Sequence, residues 1–500
     1  MPHVSRFITL TGALLIAVPA AGQQPAAAAA PPACDIDLMQ PGSLAIAAIA
    51  RNKVVQAKAP DEGLKGVRDA MKNIFDKQSA QNALGRDYAA AQFMILAIDF
   101  GGEVQTRGNL NMPGDKNAKV DLVVEADSLL KIVEAAKPAC KEDTEQWRQY
   151  KPFANRIKAG YEALAANQLD SAQHSAERAM ILSSTAPQPF DLMWRLAAAR
   201  GDDQTEVKYL KLTVDKLAGD TANARTRANL LFNLGRIQQD LAEKAPADKK
   251  AELYKGATEA YIEVIEQYPG GDEAPYAVNG ISVAWALTQD STGALKALKV
   301  AMPEIGKMGD LALSQMAILA TRLGHSAEAG ELFKAASTSN PYWRDYLYNY
   351  AATLFDLKKS QEMLTVVGKL LELDPTNPDN VLLYAYAYKG MADSTKDAAM
   401  KKAYTDSAVA YTAKSDGMKT KVTFGSFDRG KSRTQIKGEI ENRDKTAKSY
   451  TLDLQFLDKT GAVVETKSVT VGPVAPNATG AFDVEIQKGG IAGVKYAPLP

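Results

Sequence analysis

The residues with most chemical promise are Gly425-Ser-Phe-Asp-Arg-Gly430-Lys431-Ser432, which satisfy the spacing of a phosphate-binding loop. Such a loop bares backbone N–H groups toward phosphate and needs a helix starting at its lysine, whose N-terminus adds positive potential. Here Thr434, Ile436, Gly438 and Ile440 alternate as a strand does, and no apolar strand ending in Asp follows to hold magnesium. The expectation is a basic turn between two strands and no nucleotide site. His3, His174 and His325 are the only histidines. With no His-x-x-x-His and no Cys-x-x-Cys spacing, neither a metal site nor a cofactor is expected. No Gly-x-Ser-x-Gly elbow exposes a serine nucleophile, so no catalytic residue is assigned.

Two further strings imitate pieces of the penicillin-recognising serine enzymes. Ser128-Leu-Leu-Lys131 falls in a helical stripe, Lys459-Thr460-Gly461 in a turn, and no Ser-Asp-Asn element joins them. Both read as packing and turn residues. Asn477-Ala-Thr479 fits a glycosylation acceptor, which matters only in a eukaryotic secretory pathway. Lys plus Arg and Asp plus Glu both number 59, so no overall field favours nucleic acid or an anionic membrane.

The elements that would position any site are set by an internal repeat. Ala329, Phe333, Ala336 and Pro341 recur as Met363, Val367, Leu370 and Pro375, each 34 residues on (375 − 341 = 34). Upstream of each set lies an apolar helical stripe, Leu313, Met316, Ala317 and Ala320 in one copy and Leu347, Tyr350, Ala351 and Leu354 in the other. The pattern resembles the tetratricopeptide repeat, in which each unit is two antiparallel helices. One pair cannot bury its apolar face alone, so neighbours stack. Weaker copies carry the pattern over residues 42–416, about nine pairs in all, with an insertion from Phe100 to Lys119 rich in Gly, Asn and Asp.

The resemblance implies a concave face lined by the first helix of each pair. By register its candidate partner-binding residues are Tyr161, Phe232, Asn233, Arg236, Gln315, Arg322, Tyr348, Asn349, Tyr386 and Lys389. Tyr supplies contact area and Asn or Arg satisfies an extended backbone, a mixture suited to peptides. The family's basic clamp for a terminal carboxylate is not reproduced. A rival reading makes Tyr342, Trp343, Tyr346, Tyr348 and Tyr350 a stacking platform for a small ligand or glycan, and a third an enzyme using Lys431 or a serine without a recognised motif.

After Asp416-Gly417 the apolar period changes from helical to two. Lys421 to Phe427, Thr434 to Ile440, Ser449 to Leu457, Ala462 to Thr470 and Gly480 to Ile486 read as strands of a small β-sandwich over residues 417–500. Gly438-Glu-Ile-Glu-Asn442 with Leu454-Gln-Phe-Leu-Asp458 and Gly461 resembles the FxLYD-type domain of exported bacterial proteins, which implies an interaction module without a catalytic set. At the other end, Arg6, an apolar run from Ile8 to Val18, and Pro19-Ala-Ala-Gly22 read as a signal peptide over residues 1–22. Residues 23–41 form an Ala/Pro-rich linker. That run is too short for a hydrocarbon layer about 30 Å thick, so no transmembrane anchor is expected after cleavage. Cys34 and Cys140, the only cysteines, could pair in an oxidising compartment. The expectation is a mainly α protein, an α-solenoid of helix pairs followed by a β-sandwich. Its work would be to hold protein or peptide partners in the periplasm or elsewhere outside the cytoplasm.

Overall fold

A computed structural model describes residues 34–36 and 42–500. The expected signal peptide and most of the linker lie outside the described residues. The chain packs as two compact units that divide between Leu230 and Leu231.

Among the described residues the first unit holds nine helices: α1 (Gly42–Val55), α2 (Pro60–Ile74), α3 (Ala83–Gly101), α4 (Leu122–Ala136), α5 (Lys141–Arg148), α6 (Lys151–Ala165), α7 (Leu169–Leu182), α8 (Gln188–Arg200) and α9 (Asp203–Lys216). Their starts are written locally. Pro60, Pro152 and Pro189 sit in first turns, where a missing N–H costs nothing, and Asn82, Asp121 and Asp202 accept backbone N–H bonds as caps. Helix α3 is apolar on all sides and is buried without a break from Tyr88 to Ala97, as a central helix must be. The insertion after it is ordered. It forms an antiparallel ribbon of β1 (Val104–Thr106) and β2 (Lys119–Asp121), and Leu110 and Met112 drop into the core. Glu103 and Asp121 then tie it to α6 and α7, through Arg156 at 2.6 Å and Arg178 at 2.6–2.7 Å.

Helix α10 (Ala224–Lys244) carries the division, and the second unit continues with α11 (Ala247–Gln267), α12 (Ala274–Thr288), α13 (Ser291–Ala301), α14 (Asp310–Arg322), α15 (Ser326–Ser339), α16 (Arg344–Asp356), α17 (Ser360–Leu373), α18 (Pro378–Ser394) and α19 (Ala398–Gly417). The 34-residue period is a period of structure. Helices α14, α16 and α18 begin at 310, 344 and 378, and α15 and α17 at 326 and 360. The turn inside each pair passes through the left-handed region at Gly324 (φ 80°) and again at Lys358 (φ 58°), the same place one repeat on. Ala317, Ala320, Ala329 and Ala336 have no exposed surface, so small side chains let neighbouring helices approach closely.

Six strands close the unit: β3 (Thr420–Arg429), β4 (Thr434–Asn442), β5 (Lys448–Leu457), β6 (Val463–Val474), β7 (Thr479–Ile486) and β8 (Gly493–Lys495). They form two antiparallel sheets, β3-β4-β7 and β6-β5-β8, over one core that includes Val422, Ile436, Leu452, Leu454, Phe456 and Phe482. Five strands lie where alternation predicts them. The sixth, β8, is only three residues long and follows Gly489 and Gly490, too short to show a period. The change at 416/417 is one of secondary structure. The strands belong to the same compact unit as the helices from Leu231 onward.

Candidate functional site

Of the ten residues read as partner-binding, Tyr161 lies in the first unit and the other nine in the second. Tyr161 is half-buried, and its hydroxyl donates to the buried Asp191 at 2.5 Å. Asp191 also accepts from Trp194 Nε1 (2.9 Å) and Arg195 Nε (2.8 Å). Burial, and after it the Asp191 charge, pushes the Tyr161 hydroxyl far above its usual range. That hydroxyl is spent inside the protein. Arg236 and Lys389 are exposed and pair along their own helices with Asp240 (3.2 Å) and Asp393 (2.6 Å). Arg322 is exposed, while Asn233, Gln315, Tyr348 and Asn349 are half-buried. The Arg344 guanidinium lies 5.8 Å from the Tyr348 ring.

Phe232 and Tyr386 each have an aromatic neighbour on an adjacent first helix. Phe232 on α10 lies 6.2 Å from Tyr276 on α12, and Phe355 on α16 lies 5.5 Å from Tyr386 on α18. Tyr276, Phe355 and Tyr386 are 60%, 45% and 41% exposed. Tyr276 and Phe355 are absent from the sequence-derived set. One repeat away from Phe355 stand Thr321 and Lys389, so periodicity gives no warning of an aromatic there.

The stacking platform of the rival reading is occupied within the chain. Trp343 lies flat on Phe427 of β3, with centroids 4.3 Å apart and planes at 14°. Tyr342 donates to the Thr460 carbonyl at 3.0 Å, and Tyr346 and Tyr350 are 2% and 6% exposed. Tyr342 and Trp343 thus pack the β sheets against the helix ends. The contact is polar as well. Asp310, the first residue of α14, accepts from Arg429 of β3 (2.8 Å), Asn340 (3.1 Å) and Tyr346 (3.2 Å). Burial opposes its ionisation, but the Arg429 charge and these hydrogen bonds outweigh it, leaving the carboxyl below its usual range. Near the start of α18, Asp374, wholly buried, accepts from Arg344 (2.6 Å), Asn380 (2.8 Å) and the Tyr496 hydroxyl. Burial, and then the Asp374 charge, pushes Tyr496 well above its usual range. Thr376 donates its N–H to Tyr496, and its carbonyl accepts from Val422 N–H at 2.8 Å.

Between the starts of α12 and α14 and the turns of the sheets a cleft of about 900 Å³ stays open. Tyr276, Leu311, Trp343 and Phe427 wall it, and Lys431 and Lys459 stand on its sheet side. Lys431 and the rest of the phosphate-loop string form the β3–β4 hairpin, with no helix following, as alternation predicts. Ser128 and Lys131 lie on α4 in the first unit, whereas Lys459 is in the β5–β6 turn. Among the described residues no group of three or more His, Cys, Asp or Glu is placed to hold a metal, and no helix is long and apolar enough to cross a membrane. In the first unit, Cys34 and Cys140 are joined in a disulfide with Cα atoms 4.6 Å apart.

No family profile and no curated protein matches the sequence. Solved structures similar to parts of it include the following three. PilF of Pseudomonas aeruginosa is 13% identical, covering 53% of this chain and 90% of its own, with a TM-score of 0.20. A thermophilic TPR protein of Thermus thermophilus is 18% identical, covering 40% and 98%, at 0.21. A tetratricopeptide repeat protein of Parabacteroides merdae is 15% identical, covering 52% and 99%, at 0.24. The tetratricopeptide-like character of this chain is carried by its own 34-residue recurrence.

Proposed function

We propose that the chain is an exported, non-catalytic scaffold that holds protein partners on its first helices and works in the bacterial cell envelope. The observation that carries this reading is the pairing of aromatic rings across successive first helices, Phe232 with Tyr276 and Phe355 with Tyr386. Large rings left in water on such a face supply contact area at small entropic cost, which is how binding hot spots are built. Export rests on the Arg6 to Gly22 segment, and the strands of residues 417–500 add an FxLYD-like interaction module.

The test is retention of proteins from envelope extract by the full chain and by its Phe355→Ala/Tyr386→Ala variant. Loss of at least about tenfold in retained partner, about 1.4 kcal/mol, with an unchanged melting temperature, is expected. Equal retention by both proteins sinks the reading. Export is checked separately by the N-terminal residue of the chain recovered from a bacterial periplasm, expected just beyond Gly22.

A further inference from the structure

Tyr276 belongs to two surfaces. Its ring meets Phe232 on the first-helix face, and it also lines the cleft beside the sheets. The charges of that cleft leave a remainder once paired. Arg429 is matched by Asp310 and Asp428 by Arg433, and Asp272 has an interaction of its own within the chain. Lys431 and Lys459, one on each sheet's hairpin turn, are exposed and make no ion pair with any described residue. Two cations therefore face the cleft without an ion pair to any described residue, and one further acid, Asp272, lines it with them. The helix side carries apolar surface among its polar groups: Leu311, 37% exposed, and the Trp343–Phe427 stack line the cleft together with Asp310, Ser339 and Asn340. At about 900 Å³ the space approaches the upper end of small-ligand sites. Through Tyr276 it runs on into the aromatic face. That continuity favours an extended chain over a compact ligand.

We propose that this cleft binds an acidic peptide segment of a protein partner. Its carboxylates pair with Lys431 and Lys459, and an interleaved apolar or aromatic side chain lies between Tyr276, Leu311 and Trp343. The proposal rests on the scaffold reading and names the partner chemistry for one part of it. Surface lysines alone pair weakly, so the apolar contact is needed for affinity and the charges for selection.

The experiment uses the full chain and short fluorescein-labelled peptides alternating Glu with Tyr, or Lys with Tyr, read by anisotropy. The Glu/Tyr peptide is expected to bind, more weakly as salt rises, and the Lys/Tyr peptide not to bind. The Lys431→Glu/Lys459→Glu variant is expected to lose at least about tenfold in affinity, and Lys431→Ala/Lys459→Ala an intermediate amount. Both substituted positions are exposed turns, so melting temperatures should hold and certify the fold. Equal binding of the two peptides, or a charge reversal without effect, overturns the proposal. So does tight binding of heparin with none of the Glu/Tyr peptide, which assigns the lysines to a sulfated polyanion. Phe355→Ala/Tyr386→Ala protein keeps the peptide if the cleft is the site. Envelope partners lost by that variant but kept by the charge reversal refute the cleft and leave the scaffold standing.

Discussion

Asp310, half-buried, and Asp374, wholly buried, are put to the same use. Each gathers donors from the helical repeats and from the β region, Arg429 in one case and Tyr496 in the other. Removing one partner of such a group strands the rest away from water, which costs more than the hydrogen bond itself contributes. The pH dependence of Asp310 follows from its depressed pKa. A carboxyl whose folded pKa lies below its unfolded value contributes stability that is present above the unfolded pKa, near 3.8, and disappears as pH falls through the folded one. Asp310→Asn, which leaves Arg429 without its anion, is expected to cost about 1–3 kcal/mol at neutral pH. It should also flatten the loss of stability as pH falls below the unfolded pKa, and urea midpoints from neutral into acid pH measure both effects. An unchanged acid slope in the variant removes Asp310 from the account.

At the scale of elements, the turn before a helix and a short strand meet through backbone. A Cβ on Gly493 would stand 1.7 Å from the Tyr342 carbonyl oxygen, so β8 can lie against the turn before α16 only because residue 493 has no side chain. Gly493→Ala must therefore shift the backbone at the contact between helices and sheets. It is expected to destabilise the second unit by about 2 kcal/mol or more while sparing the first. Trp147 and Trp194 report on the first unit and Trp285 and Trp343 on the second, so single-tryptophan variants resolve the two. The same contact bears on any chain ended after Asp416. Ending the chain there takes Arg429 from Asp310, Tyr496 from Asp374 and Phe427 from Trp343. Such a truncation damages the helix ends as well as removing the strands. Substitutions at exposed positions such as Lys431 or Phe355 avoid that damage.

For the molecule as a whole, the two units offer separate handles on stability. The Cys34–Cys140 bridge closes a span of 106 residues inside the first unit. Constraining an unfolded loop of that size contributes about 5 kcal/mol in the chain-entropy picture. Reduction is expected to lower the melting temperature of the first unit alone, with the second unit's transition unmoved, and calorimetry with and without a thiol reductant checks this. A shift of both transitions by the same amount contradicts it.

Much of this architecture was legible in the chain before any coordinates. The 34-residue recurrence marked the apolar stripes from Leu313 and Leu347, and the helices that carry them begin at 310 and 344, because stacked pairs require small or apolar residues at fixed offsets and a turn after each. Alternation placed five of six strands, and it turned the phosphate-loop string into a hairpin, because a period of two and a helix N-terminus exclude one another at Lys431. The candidate site was less legible. Register could say which helix faces are first-helix faces, but not that Tyr161 would spend its hydroxyl on Asp191 or that Tyr342 and Trp343 would face the sheets. Those outcomes depend on partners 30 to 118 residues away, and no local pattern encodes a partner that far along the chain. Sequence by itself thus determined the elements, whose signals are periodic and local. Tertiary structure decided which aromatic rings stay in water and which lysines go unpaired, because burial and charge matching are settled only when distant segments meet.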